Sequence, residues 1–213
     1  MAPVPADWSA VPLNCVLMSG AAVFAMFQIR DLVEIAPYLF RGLTRDKTLI
    51  ETEDNLHLRQ ERNMVALAAK FFFCLMAARL GFLSFGLKGA AATLATLGSL
   101  AVYSVLRRAA SAALERRAGN REAYRASFGL FDNFITVLAT VAGATLWAGS
   151  LLGSDPESIR MTFLNETVVA AAIFILRKSE ILFSFCNPLK AFLYLCTLEL
   201  IPAGILVAAA VLF

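Results

Sequence analysis

Residues Phe192–Gly204 read FLYLCTLELIPAG, an apolar run that carries one carboxylate, Glu199, with Pro202 three residues later. An ionisable side chain deep in a membrane helix costs at least about 2.5–3.5 kcal/mol on insertion scales. The fold therefore turns on whether this run lies in lipid or in a soluble core. Composition decides it. The chain has 213 residues, of which 59% are hydrophobic and 16% charged, against roughly 45–50% and about 25% in soluble domains. That is the composition of a membrane protein.

Crossing about 30 Å of hydrocarbon at 1.5 Å per residue takes roughly 20 apolar residues. Working outward from the closing run, six segments meet or approach that length: 11–29, 63–86, 89–106, 127–152, 160–176 and 191–213. The intervening loops test the partition. Segments 30–62, 107–126 and 177–190 hold fifteen of the nineteen lysines and arginines, whereas the opposite loops hold only Lys88 and Arg160. Under the positive-inside rule the three basic loops are cytoplasmic and both termini face away from the cytoplasm. The expected fold is an all-α integral membrane protein, a single domain built as a bundle of about six transmembrane helices.

The cytoplasmic loops carry their own helical patterns. RDLVEIAPYLFRGL, from Arg30, sets Leu32, Val33, Ile35, Leu39 and Phe40 among charges, which suits an interfacial amphipathic helix broken near Pro37. The charged stretch after it extends the second span, with Thr52, Asp54 or Asn55 near a helix start. In 107–126, two helical stretches split at Gly119-Asn120 carry Arg107, Arg108, Arg116, Arg117, Arg121 and Arg125. These arginines are candidates for contact with anionic lipid head groups or a partner, beside their role as a topology signal.

Five ionisable groups fall inside the expected spans: Lys70, Arg79, Asp132, Glu166 and Glu199. Helix rise sorts them by depth, with Lys70, Asp132 and Glu199 about 8–12 Å from the cytoplasmic side and Arg79 and Glu166 about 10 Å from the other. Opposite charges at one depth neutralise each other across helices, and long basic side chains also snorkel. A proton-carrying or ion-carrying role for Glu199, with Lys70 and Asp132, is the functional alternative. In the fourth span Asp132, Thr136, Thr140 and Gly143 recur at helical spacing beside Asn133, a face that looks into protein. Pro202 cannot donate to the carbonyl of Leu198, so the last helix is weakened or kinked beside Glu199.

Other chemistry is poorly represented. One histidine and four dispersed cysteines do not make a metal or haem centre. No nucleophile elbow, phosphate loop, HExxH or dinucleotide fingerprint occurs, and no cofactor is expected. Without a basic run interleaved with aromatics, nucleic acid is not an expected partner.

The closing block, Phe192-Leu193-Tyr194-Leu195-Cys196-Thr197-Leu198-Glu199-Leu200-Ile201-Pro202, resembles the end of a family of Bacteroidota multi-pass membrane proteins catalogued as domain of unknown function 4271. Members typically end in an FLYLC-x-LE-x-x-P helix and often carry an asparagine–lysine pair in the fourth span, where this chain has Asp132-Asn133. The resemblance implies a bacterial inner-membrane location and supplies no activity. The function expected from the sequence is a non-enzymatic scaffold or subunit of an envelope complex, with a membrane-protein partner or a second copy. The alternatives are a small proton- or ion-coupled transporter and an integral lipid-modifying enzyme.

Overall fold

The computed structural model describes residues 8–117, 121–185, 192 and 195–212. After a short turn at Trp8–Ala10 come α1 (Pro12–Thr44), α2 (Asp46–Asp54), α3 (Leu56–Arg79), α4 (Ala90–Arg117), α5 (Arg121–Leu151) and α6 (Pro156–Phe185). A π-turn at Cys196–Leu200 then leads into a last helix, α7 (Ile201–Leu212). Among the described residues the fold is all-helical. Four stretches are long and apolar enough to cross a membrane, within α1, α4, α5 and α6, and only 11–17% of each apolar window is buried inside protein. Their outer faces carry Met26, Phe27, Val105, Trp147 and Leu176 in the open, surface that hydrocarbon covers. The chain is membrane-embedded.

Several helices outrun their expected spans. Pro12 starts α1 at a position where a missing N–H costs nothing, and the helix then continues through Pro37 to Thr44. The expected break and separate interfacial helix are absent. At 33 residues the helix is about 50 Å long, more than the hydrocarbon needs. Its distal part buries Ile35 and Leu39 against Val65 of α3. Arg177 of α6 closes its end, donating from Nε to the carbonyl of Leu43 (3.1 Å) and from Nη2 to that of Thr44 (2.9 Å). Such carbonyls have no partner inside the helix.

Of the three residues expected near a helix start, Asn55 is the N-cap of α3. Its side chain accepts from the backbone N–H of His57 (3.1 Å) and Leu58 (3.4 Å). The helix ends at Arg79, seven residues short of the expected Gly86. It stops in a Schellman motif: Gly81, at φ +76°, lets Phe82 N–H reach the Ala77 carbonyl and its own N–H reach that of Ala78. The chain then folds Phe82 and Leu83 inward, and Thr96 Oγ1 of α4 donates to the Phe82 carbonyl at 2.8 Å. Leu83 and Phe85 also hold positive φ (56° and 49°), a conformation that costs bulky residues energy; at Leu83, which is buried, packing holds it in place. In the 107–126 segment, α4 continues to Arg117 and α5 starts at Arg121, and the expected split at Gly119-Asn120 lies outside the described residues.

The core is layered. Met76, Ala77, Leu80 and Phe82 pack on Ala139, Ala142 and Phe163 at one end of the bundle. Leu49, Leu130, Phe174 and Ile181 pack at the other. Short α2 folds back onto α5 because Gly129 has no side chain there. A Cβ on Gly129 would run into Arg62 Nη1 and Glu53 Oε1, which form a buried ion pair at 2.6 Å. Gly129→Ala is expected to force that pair apart and destabilise the protein by about 2 kcal/mol, read as a lower midpoint in thermal unfolding in detergent. An unchanged midpoint would show that α2 shifts freely.

Candidate functional site

The site forms where α3, α4, α5 and α6 meet the π-turn. Pro202 offers no N–H to the preceding turn, and the backbone responds by widening: Ile201 N–H bonds to the Cys196 carbonyl, five residues back. That turn carries Glu199, 2% exposed. Arg107 of α4 grips its carboxylate with two nitrogens, Nη2 at 2.8 Å from Oε1 and Nε at 3.3 Å from both oxygens. Lys178 of α6, 1% exposed, donates from Nζ to Glu199 Oε1. Beside this triad, Lys70 of α3 is hydrogen-bonded to Asp132 of α5.

Phenylalanine rings bind the two ion groups into one layer. The Arg107 guanidinium sits 3.5 Å from the Phe131 ring centroid, and Lys70 Nζ lies 5.4 Å from the same ring. Lys178 Nζ is 5.5 Å from Phe174. Phe131 and Phe174 meet edge-on at 5.6 Å. The cations thus see ring faces as well as carboxylates, a favourable electrostatic contact inside an apolar layer.

The sequence-derived inner group of Lys70, Asp132 and Glu199 therefore divides. Lys70 and Asp132 are joined, whereas Glu199 is joined to two residues assigned to the loops. The reason is helix length. Because α4 and α6 continue past Leu106 and Leu176, Arg107 and Lys178 stay on helices and point into the bundle. Arg107 is consequently a buried ion-pair partner, while Arg108, beside it, is exposed. The side chains of Arg116, Arg117, Arg121 and Arg125 lie outside the described residues. The level of the apolar-to-basic transition in both helices, close to that of Glu199, was the available sequence signal.

At the other end no ion pair among the described residues joins Arg79 to Glu166. Arg79 is exposed, and Glu166 accepts from Thr145 Oγ1 at 3.1 Å. Asn133 is buried beside Gly42 of α1. Along α5, Thr136 and Thr140 donate to the carbonyls of Asp132 and Thr136, both at 2.8 Å. Gly143 packs on Phe72 and Met76 of α3, whereas Thr140 is exposed, so the polar stripe is a helix contact only in part. No metal-binding group of three or more His, Cys, Asp or Glu side chains occurs among the described residues.

Above the charged layer lies a cavity of about 220 Å³ between α3, α4, α5 and α6, bounded also by Val207 of α7. Phe82 and Phe163 lie at one end, stacked at 5.7 Å, and Lys70, Tyr103 and Glu199 at the other. The phenylalanine-rich lining fits an apolar occupant, and the charged end fits a polar group at its tip. No family model, curated protein or solved structure matches this chain.

Proposed function

We propose that the chain is a non-enzymatic component of a bacterial inner membrane, a scaffold or subunit of an envelope complex that crosses the bilayer six times with both termini outside the cytoplasm. The observation that carries the reading is the use made of the buried charges. Lys70–Asp132 ties α3 to α5, and Arg107–Glu199–Lys178 ties α4 to α6 and the last span. Charges committed to each other fix the register of helices, the best-attested service of buried ion groups. The distribution of lysine and arginine supports the orientation, and the FLYLC-x-LE-x-x-P block supports the bacterial membrane. In this reading α3 and the π-turn with α7 complete the six spans, and the basic inner ends of α4 and α5 contact anionic head groups or a membrane-protein partner.

Affinity purification of the tagged full chain from its native membrane in mild detergent tests this. A partner or second copy at fixed stoichiometry is expected, and a lone monomer at all detergent levels would overturn the reading.

Glu199 at the edge of a cavity, on a π-turn, favours a second reading as a proton- or ion-coupled protein. Proteoliposomes with an imposed pH gradient separate the two. The scaffold reading expects the same proton leak for the wild type and Glu199→Gln. A wild-type flux lost in Glu199→Gln, with both proteins folded, would establish the alternative.

A further inference from the structure

We propose that the cavity is a binding site for one anionic single-chain amphiphile, its chain lying among Phe163, Phe82 and Leu138 and its charged head at Lys70 and Tyr103. This goes beyond the scaffold reading and does not depend on it.

Size limits the occupant first. A cavity of about 150 Å³ lined by apolar side chains stays dry and takes a benzene, so about 220 Å³ accommodates one slim chain. Shape agrees. Phe163 and Phe174, both in the lining, lie on α6, and the intervening helix rises about 16 Å. The cavity is thus elongated along the bundle, as an extended chain is.

Polarity then orients the chain. The hydroxyls of Ser104 and Thr167 are bonded to carbonyls of their own helices, which leaves the middle of the cavity apolar. The groups able to meet a polar head are those at the inner end. There the described side chains comprise three cations, Lys70, Arg107 and Lys178, and two carboxylates, Asp132 and Glu199. Lys70 Nζ has three donors, and Asp132 is its one acceptor among the described residues. An anionic head placed there meets the Lys70 ammonium and the Tyr103 phenol, while the Glu199 carboxylate beside them is held by Arg107 and Lys178.

The test uses the purified full chain in detergent with radiolabelled myristate, competed by lysophosphatidic acid or by myristyl alcohol. One saturable site per chain is expected, with the alcohol about tenfold weaker than an anionic competitor, the worth of one charge-assisted hydrogen bond. Whether myristate or lysophosphatidic acid binds more tightly identifies a carboxylate or a phosphate head. Lys70→Gln combined with Asp132→Asn should erase the tenfold preference and keep the binding of the chain. Ala171→Trp, which fills the cavity from α6, should abolish binding of both anions; Leu100→Trp serves if that variant does not fold. Equal affinity for acid and alcohol in the wild type would overturn the anionic head. Undiminished binding in a folded cavity-filled variant would place the lipid on the outer surface and overturn the site.

Discussion

Glu199→Leu is expected to lower the stability of the folded protein by about 3–5 kcal/mol, the largest effect of any single substitution considered. The substitution removes the carboxylate shared by Arg107 and Lys178 and takes a counter-charge from two buried cations. Each is too deep to be hydrated in place, with Arg107 7% and Lys178 1% exposed. Replacing all three by apolar residues of similar size (Arg107→Met, Lys178→Met, Glu199→Leu) should recover most of the loss, because buried cations deprived of their shared carboxylate, and not the missing attraction, dominate the penalty. Reversible unfolding in mixed micelles, with the single, double and triple variants compared, measures this. A single variant as stable as the wild type would mean that Arg107 and Lys178 reach water or another acceptor.

The second large effect is expected at Lys70–Asp132. Lys70→Met alone strands Asp132, and Asp132→Leu alone strands Lys70. Each should cost about 3 kcal/mol, slightly less than at Glu199, because the two side chains are 19% and 12% exposed and water reaches them in part. The double variant should be more stable than either single one, with a coupling of about 1–3 kcal/mol. The pairing makes a sharper statement. Lys70→Met combined with Glu199→Leu should show additive losses, since these residues belong to different ion groups. Strong coupling between Lys70 and Glu199 would mean that the triad and the pair exchange partners.

These two experiments separate what was legible in the sequence from what was not. The membrane class was legible, because hydrocarbon demands long apolar runs and few other environments do. That Pro202 would disturb the turn holding Glu199 was legible as well, since a missing N–H has consequences within four residues. The structure realises the disturbance as a π-turn. Asn55 was readable as one of three candidates for a helix start, through its short side chain and the helical pattern after it.

The partners of Glu199 were not legible. Helix rise assigns a depth to each charge but no direction around the bundle, so Lys70, Asp132 and Glu199 formed one group by level alone. Ending the spans where the arginines began also removed Arg107 and Lys178 from consideration. Basic residues at the end of a span read as topology signals whether they face the cytoplasm or turn inward. The same limit applies to Arg177, whose guanidinium closes α1 from more than a hundred residues away, and to Gly129, whose missing Cβ admits the Arg62–Glu53 pair.

By itself, then, the sequence determined an all-helical, membrane-embedded chain, and from it follow only expectations for the sidedness of the loops and the depth of the charges. All of these depend on composition and on distances along one helix axis. The tertiary structure alone decided which charge meets which, where the phenylalanines stack and that a cavity remains above them. Those depend on the rotation and spacing of helices about one another. Each is settled by the side chains of several helices at once, and no local stretch of sequence encodes it.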